Sequence, residues 1–165
     1  MPDERVIQQV YGILSMNKVE FRTDDTGKSF LVPCGSAGVY VDFRDWADGQ
    51  TLVNLHAFVL DQVDVADERR PKILEELNEV NKSTYVGKVY LDVDAKTIVL
   101  EHDLLGNDLD ADELMGALRT LASTADELDD RLRTAIGTGR SAQESWNEAH
   151  DQAQTPEGTG PVVSA

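Results

Sequence analysis

The sequence contains a single cysteine among its 165 residues. One thiol cannot form an internal disulfide framework, nor can it supply several thiolate ligands to a metal ion. No apolar run approaches the ~20 residues needed to cross a bilayer, and the acidic first residues lack the basic region of a signal peptide. We therefore expect a cytoplasmic protein.

Basic residues are also scarce. There are 15 lysines and arginines against 31 aspartates and glutamates, which gives a formal net charge of −16. Such a surface repels phosphate groups, so we expect neither a nucleic-acid partner nor binding to anionic membranes. Hydrophobic residues make up 41% of the chain, and this is enough for one core in one domain of this length.

The hydrophobic periodicity predicts alternating helical and extended segments. Apolar residues at three- and four-residue steps predict a helix over 3–16, and a similar stripe predicts a second helix over 67–82, capped by Asp67. Alternating residues predict strands, the second of them ended by Pro33, over 19–22, 29–32, 39–44, 51–60, 85–92 and 97–104.

The last predicted helix has the clearest boundaries. Asp110 is a suitable N-cap, and Gly137 supplies a left-handed stop. Its apolar residues follow the spacing of a coiled coil for just under three heptads: Leu114, Leu118, Leu121, Ala125, Leu128 and Leu132. Two interpretations remain open, packing on the sheet or a helix-mediated homodimer with Leu121 and Leu128 as contacts.

Together these elements predict an α+β fold with a single antiparallel sheet and the order α-β-β-β-β-α-β-β-α over residues 1–137. The composition changes after Gly137, so we expect 138–165 to be a flexible tail. Within it, Ser141 and Glu144 form a capping-box pattern that predicts a short helix over 141–154. Trp146 is its large apolar residue, and it either folds back on the core or anchors a partner.

One acidic cluster has the spacing of calcium ligands. Asp108, Asp110 and Asp112 alternate, but Glu113 stands where a calcium loop needs glycine, and Arg119 stands where it needs a bidentate glutamate. The start of a capped helix explains all three acids. We predict no metal site.

Reactive groups are few and isolated. Cys34 has no thiolate-stabilising partner near it in sequence. Glu101 and Asp103 share a strand face, where two carboxylates of so acidic a chain are expected to be solvated. We therefore predict no catalytic residue and no cofactor, and we expect that the protein is not an enzyme.

The second face of the predicted sheet is the candidate binding surface. It carries Phe58 and Tyr90 among polar residues, a mixture that suits neither a full core nor a purely solvated face. Together with Trp146, these residues are the candidate contacts to a protein client.

Three segments resemble a known family: Asn78-x-x-Asn81, the run from Gly87 to Asp92, and the run from Glu101 to Leu105. Followed by a leucine-rich helix, they are similar to the YbjN-domain proteins over about residues 3–136. The resemblance implies a fold like that of type III secretion chaperones, which are acidic dimers that hold an extended segment of a client. Members are described as regulators of sensory transduction, and no catalytic residues are implied. We therefore expect a chaperone-like or regulatory protein-binding module, with a small-molecule sensor in signal transduction as the alternative.

Overall fold

The computed structural model describes residues 1–35 and 37–145. Three helices are present in this part of the chain: α1 (Glu4–Met16), α2 (Arg70–Ser83) and α3 (Ala111–Ile136). The strands are β1 (Arg22–Thr23), β2 (Phe30–Cys34), β3 (Ala37–Asp45), β4 (Thr51–Asp61), β5 (Lys88–Asp92), β6 (Thr97–Leu105) and β7 (Arg140–Ser141). This confirms the predicted α+β class. None of the helices in the described residues is long and apolar enough to span a membrane.

All strand pairings are antiparallel, and the sheet order is β1-β2-β3-β4-β6-β5, with β7 paired to β4. Successive side chains of each strand point to opposite faces. One face of β4 holds fully buried residues such as Val53, Leu55 and Ala57, which belong to the core shared with α1, α2 and α3. We call the opposite face the open face.

The ends of α3 lie where the sequence predicts them. The Asp110 side chain accepts a hydrogen bond from the Glu113 backbone N–H at 2.8 Å. Gly137 closes the helix in a left-handed conformation, and its N–H donates to the Arg133 carbonyl. Both signals are local, so neither depends on the packing of distant elements.

Several predicted boundaries are wrong. The first strand covers Arg22–Thr23 instead of 19–22, and the strand predicted over 85–92 begins at Lys88. Helix α2 begins at Arg70, and Asp67 forms an ion pair with Arg70 at 3.0 Å instead of capping the helix. If Asp67 were the N-cap, its carbonyl would accept the first helical hydrogen bond from the N–H of residue 71. That residue is proline, which has no N–H. Pro33 does not end its strand, because β2 continues to Cys34 with Pro33 paired to Gly38. Because β1 covers β2 only at Phe30 and Leu31, the nitrogen of Pro33 can face the open sheet edge without losing a ladder hydrogen bond.

The leucine ladder of α3 packs on the chain's own sheet. Its six residues are all buried in the core. The assignment of Leu121 and Leu128 as homodimer contacts is therefore corrected, because neither side chain keeps a surface for a second copy. A helix that packs on a sheet and a helix that forms a coiled coil both carry one apolar stripe. The periodicity of the sequence therefore does not distinguish the two kinds of packing.

The chain after Gly137 returns to the sheet, which the sequence did not indicate. In β7, Arg140 pairs with Asp61 and Ser141 pairs with Leu60, beyond the point where β3 leaves β4. The predicted capping box is present: Ser141 N–H donates to Glu144 Oε2, and Glu144 N–H donates to Ser141 Oγ. Trp146 and the rest of the helix predicted over 141–154 lie outside the described residues.

Candidate functional site

The two aromatic candidates on the open face stand on either side of the same residue. Phe58 in β4 and Tyr90 in β5 both pair with Val99 in β6. Phe58 is 36% exposed and Tyr90 is 38% exposed, whereas Val99 is buried between them. Both candidates therefore remain accessible, on the face of the sheet opposite the core that α1, α2 and α3 share.

This apolar line continues across the sheet. Val39 pairs with Ala57, so the neighbouring Gly38 lies beside Phe58, and Gly38 is itself paired with Pro33. We call these residues the apolar row: Pro33, Gly38, Phe58, Val99 and Tyr90. At ~4.8 Å between strands, the row extends about 19 Å across five strands. The sequence identified only Phe58 and Tyr90, because the other members become neighbours only through strand register.

An open cavity of about 570 Å³ lies at the β2 end of the apolar row. Its floor includes Gly38, where a Cβ atom would come within 2.9 Å of Leu31 Cδ1, so a larger residue would displace the end of that leucine side chain. Its walls come from the sheet and from the chain after β7, and include Leu31, Pro33, Tyr40, Phe58, Ala142 and Ser145. The cavity therefore depends on the return of the chain through β7.

Polar side chains fill the middle of the open face. Asn54 is fully buried there: its Oδ1 accepts from Arg44 Nη2 at 3.1 Å, and its Nδ2 donates to Asp103 at 2.8 Å. His56 stacks on Tyr40 with ring centroids 5.2 Å apart, and its Nδ1 lies 3.2 Å from Asn54 Oδ1. These polar side chains hydrogen-bond or stack with one another. They form a polar band between the apolar row and the far end of the sheet.

Glu101 and Asp103 have different partners, and Glu101 is buried instead of solvated as expected. Lys88 Nζ lies 2.9 Å from Glu101 Oε1, and the Tyr90 hydroxyl donates to Glu101 Oε2 at 3.3 Å. Burial alone raises the pKa of Glu101, but Lys88 and the Tyr90 hydroxyl offset it, and the pKa lies below its usual value. Asp103 is engaged with Asn54. A general acid usually needs a raised pKa, and the pKa of Glu101 is shifted the other way.

Cys34 and the acidic residues near the start of α3 do not form a reactive or metal-binding group in the part of the chain that the structure describes. Burial raises the pKa of Cys34, which keeps the thiol protonated. Asp110 serves as the N-cap of α3. Across residues 1–35 and 37–145, no three His, Cys, Asp or Glu side chains are grouped to hold a metal ion.

Comparison with known proteins gives the same fold. The matching solved structures include the Yersinia pestis type III secretion chaperone SycH in complex with a fragment of YscM2, at 16% identity and a TM-score of 0.51, covering 74% of this chain and 98% of that one. YbjN from E. coli matches at 14% identity and a TM-score of 0.59, covering 82% and 96%. The HopA1–SchA chaperone–effector complex matches at 11% identity and a TM-score of 0.50, covering 78% and 98%.

A search of the curated proteins found no match. A family model does match, over residues 4–145, a range that includes β7 and the wall of the cavity. It describes "T3SS (YopN, CesT) and YbjN peptide-binding chaperone 1". The chain therefore belongs to this family of type III secretion and YbjN peptide-binding chaperones.

Proposed function

We propose that the protein is a non-enzymatic binding module that holds a peptide segment of a client protein on its open face. One observation carries this proposal: an apolar row crosses five strands on the face opposite α1, α2 and α3, and it leads into a cavity of about 570 Å³. Exposed apolar side chains that lie together among polar residues are typical of a site of interaction. The family description and the chaperone complexes among the structural neighbours support a peptide as the ligand.

The sheet edges suit a client less well than the face. At the β5 edge, the Asn81 side chain already bonds both the N–H and the C=O of Val89. At the β2 edge, β1 covers Leu31, and Pro33, two residues further along β2, has no N–H to offer an added strand. Strand addition needs free backbone N–H and C=O groups at a sheet edge. Because these edges offer few, we expect the client to bind across the open face.

The absence of catalysis is supported by the state of the reactive groups. The pKa of Glu101 lies below its usual value, and that of Cys34 lies above it. A catalytic carboxylic acid and a nucleophilic thiol both need the opposite shift. The predicted homodimer stays a prediction, and the contacts first assigned to it are buried in the core.

The test is a peptide array probed with the folded protein and with two matched variants. We expect Phe58→Ser to abolish binding to most of the bound peptides. Tyr85→Ser removes a fully exposed aromatic residue ahead of β5, outside the open face, and should leave binding unchanged. Circular dichroism and thermal melts establish that both variants are folded. Equal binding by Phe58→Ser, or no peptide bound by the parent protein, would contradict the proposal.

A small-molecule sensor is the second candidate, and the cavity favours it. Its volume lies within the usual ~300–1,000 Å³ range of ligand pockets. Two residues that line it, Thr97 and Ser145, have buried hydroxyl groups without a hydrogen-bond partner among residues 1–35 and 37–145. A metabolite that binds here raises the melting temperature of the parent protein and not that of Phe58→Ser. A metabolite panel that causes no shift excludes the compounds tested.

A further inference from the structure

A second apolar patch lies at the far end of the open face. Leu52 of β4 pairs with Leu105 of β6, and Arg44 of β3 pairs with Leu52. Trp46 continues the extended backbone just after β3, so the alternation places it on the same face as Arg44. Leu105 is 53% exposed and Trp46 is 57% exposed. We call Trp46, Leu52 and Leu105 the far patch.

The spacing between the apolar row and the far patch can be read along β4. Phe58 and Leu52 are six residues apart on the same face of one strand, which corresponds to about 20 Å. Between them lie His56 and Asn54, whose polar groups are already engaged. A ligand that contacts both ends therefore needs two apolar side chains about 20 Å apart and polar side chains between them.

An extended segment meets this requirement with few residues. Its side chains repeat every two residues, as those of β4 do, so its first and seventh residues point to the same side about 20 Å apart. Only its third and fifth residues then face His56 and Asn54. A helix of the same length needs about 14 residues and presents several further side chains to this polar middle.

The charge of the chain indicates the charge of its partner. The formal net charge is −16, so the field of the protein attracts a basic segment and repels an acidic one. Strand register places nine charged residues on the open face, with one more carboxylate than cations: Asp42, Asp61, Asp92, Glu101 and Asp103 against Arg22, Arg44, Lys88 and Arg140.

We propose that the client segment is extended and net basic, with bulky apolar side chains at its first and seventh positions. The first side chain fills the cavity beside Phe58, and the seventh lies on the far patch. This inference rests on the proposed function, since it specifies the peptide that the open face selects.

The test uses fluorescently labelled synthetic peptides and anisotropy titrations with the full chain. The parent peptide has phenylalanine first, leucine seventh, serine and threonine between them, and lysines outside. In a second peptide the leucine moves to the sixth position, which turns it away from the sheet. We expect this shift to weaken binding about tenfold, the value of one buried leucine. Replacing the lysines with glutamates weakens binding further, and raising the salt from ~0.05 to ~0.5 M weakens the parent peptide.

A double-mutant cycle locates the seventh side chain. Leu105→Ser should weaken the parent peptide about tenfold and leave the shifted peptide unchanged. Leu105 is half exposed, so this variant keeps the fold, and Tyr85→Ser is the control away from the face. If both peptides bind equally and Phe58→Ser still weakens them, the spacing is wrong and the proposed function stands. If no peptide binds the parent, the proposed function itself fails. Sedimentation showing a dimer that Phe58→Ser dissociates would assign the face to a second copy and overturn the inference.

Discussion

The Asn81 side chain takes the place of a neighbouring strand at Val89. Its Nδ2 donates to the Val89 carbonyl at 2.9 Å, and its Oδ1 accepts from the Val89 N–H at 2.8 Å. Val89 lies on β5, the last strand at this side of the sheet. One helical side chain thus satisfies two backbone groups that an edge strand would otherwise present to another chain.

Removing this amide is expected to destabilise the protein. Asn81→Ala leaves one partly buried donor and one acceptor without partners, which costs roughly 1–3 kcal/mol of unfolding free energy. Urea denaturation measures the change. Asn78→Ala is the matched control, an exposed asparagine on the same helix, and should change stability by no more than ~0.5 kcal/mol. Equal effects at the two positions would show that the Val89 contact contributes little.

Two glycines are expected to respond to alanine with opposite signs. Gly87 has φ of +85°, and a Cβ there would lie 2.9 Å from the Glu101 backbone oxygen, so Gly87→Ala should destabilise by roughly 1–3 kcal/mol. Gly12 lies inside α1 with no atom within 4 Å of the added carbon, so Gly12→Ala should stabilise by ~0.5–1 kcal/mol. Thermal melts of the pair measure both effects. If Gly87→Ala stabilised the protein, this would contradict the close approach of the Glu101 backbone in β6 to residue 87.

His56 is expected to make stability depend on pH. Burial lowers the pKa of His56 below its ordinary 6.5, although Asp42, with its Oδ2 3.7 Å from Nδ1, acts in the opposite direction. The unfolded chain therefore binds a proton at a higher pH than the folded chain does. The contribution of His56 to the free energy of unfolding is therefore fully present above pH ~6.5. It is lost as the pH is lowered towards the pKa of His56 in the folded state.

Urea midpoints measured from pH 7.5 downwards test this dependence. Arg44 further lowers the pKa of His56 and Glu101 raises it, and both remain in the control variant His56→Phe. This variant keeps a flat ring beside Tyr40 but does not titrate, so its stability should fall less over the same pH interval. Parallel curves for the two proteins would show that His56 does not cause the slope.

The sequence predicts the elements whose signals are local. The cap at Asp110 and the stop at Gly137 identify α3 to the residue, and alternation places Phe58 on the face away from the core. The predicted start of α2 is wrong because Pro71 has no N–H to donate to the Asp67 carbonyl, although Asp67 is by residue type a suitable cap.

The cavity and the apolar row are missed for a different reason. They depend on pairings between residues far apart in the chain, such as Tyr90 with Val99 and Ser141 with Leu60. The two-residue strand β7 is too short to leave an alternating pattern in the sequence. Register is fixed by the packed fold, so no single segment contains the information.

The ladder of α3 offers the clearest test of core against interface. Leu121 is fully buried under the sheet, so Leu121→Ala should cost about 2–5 kcal/mol of unfolding free energy, through lost burial and the cavity left behind. Leu105→Ala, on an exposed leucine, should change stability by no more than ~0.5 kcal/mol. Because the stripe faces the chain's own core, light scattering should give the same molar mass for parent and folded Leu121→Ala. If Leu121→Ala kept the urea midpoint of the parent but had half its molar mass in solution, Leu121 would lie in a dimer interface.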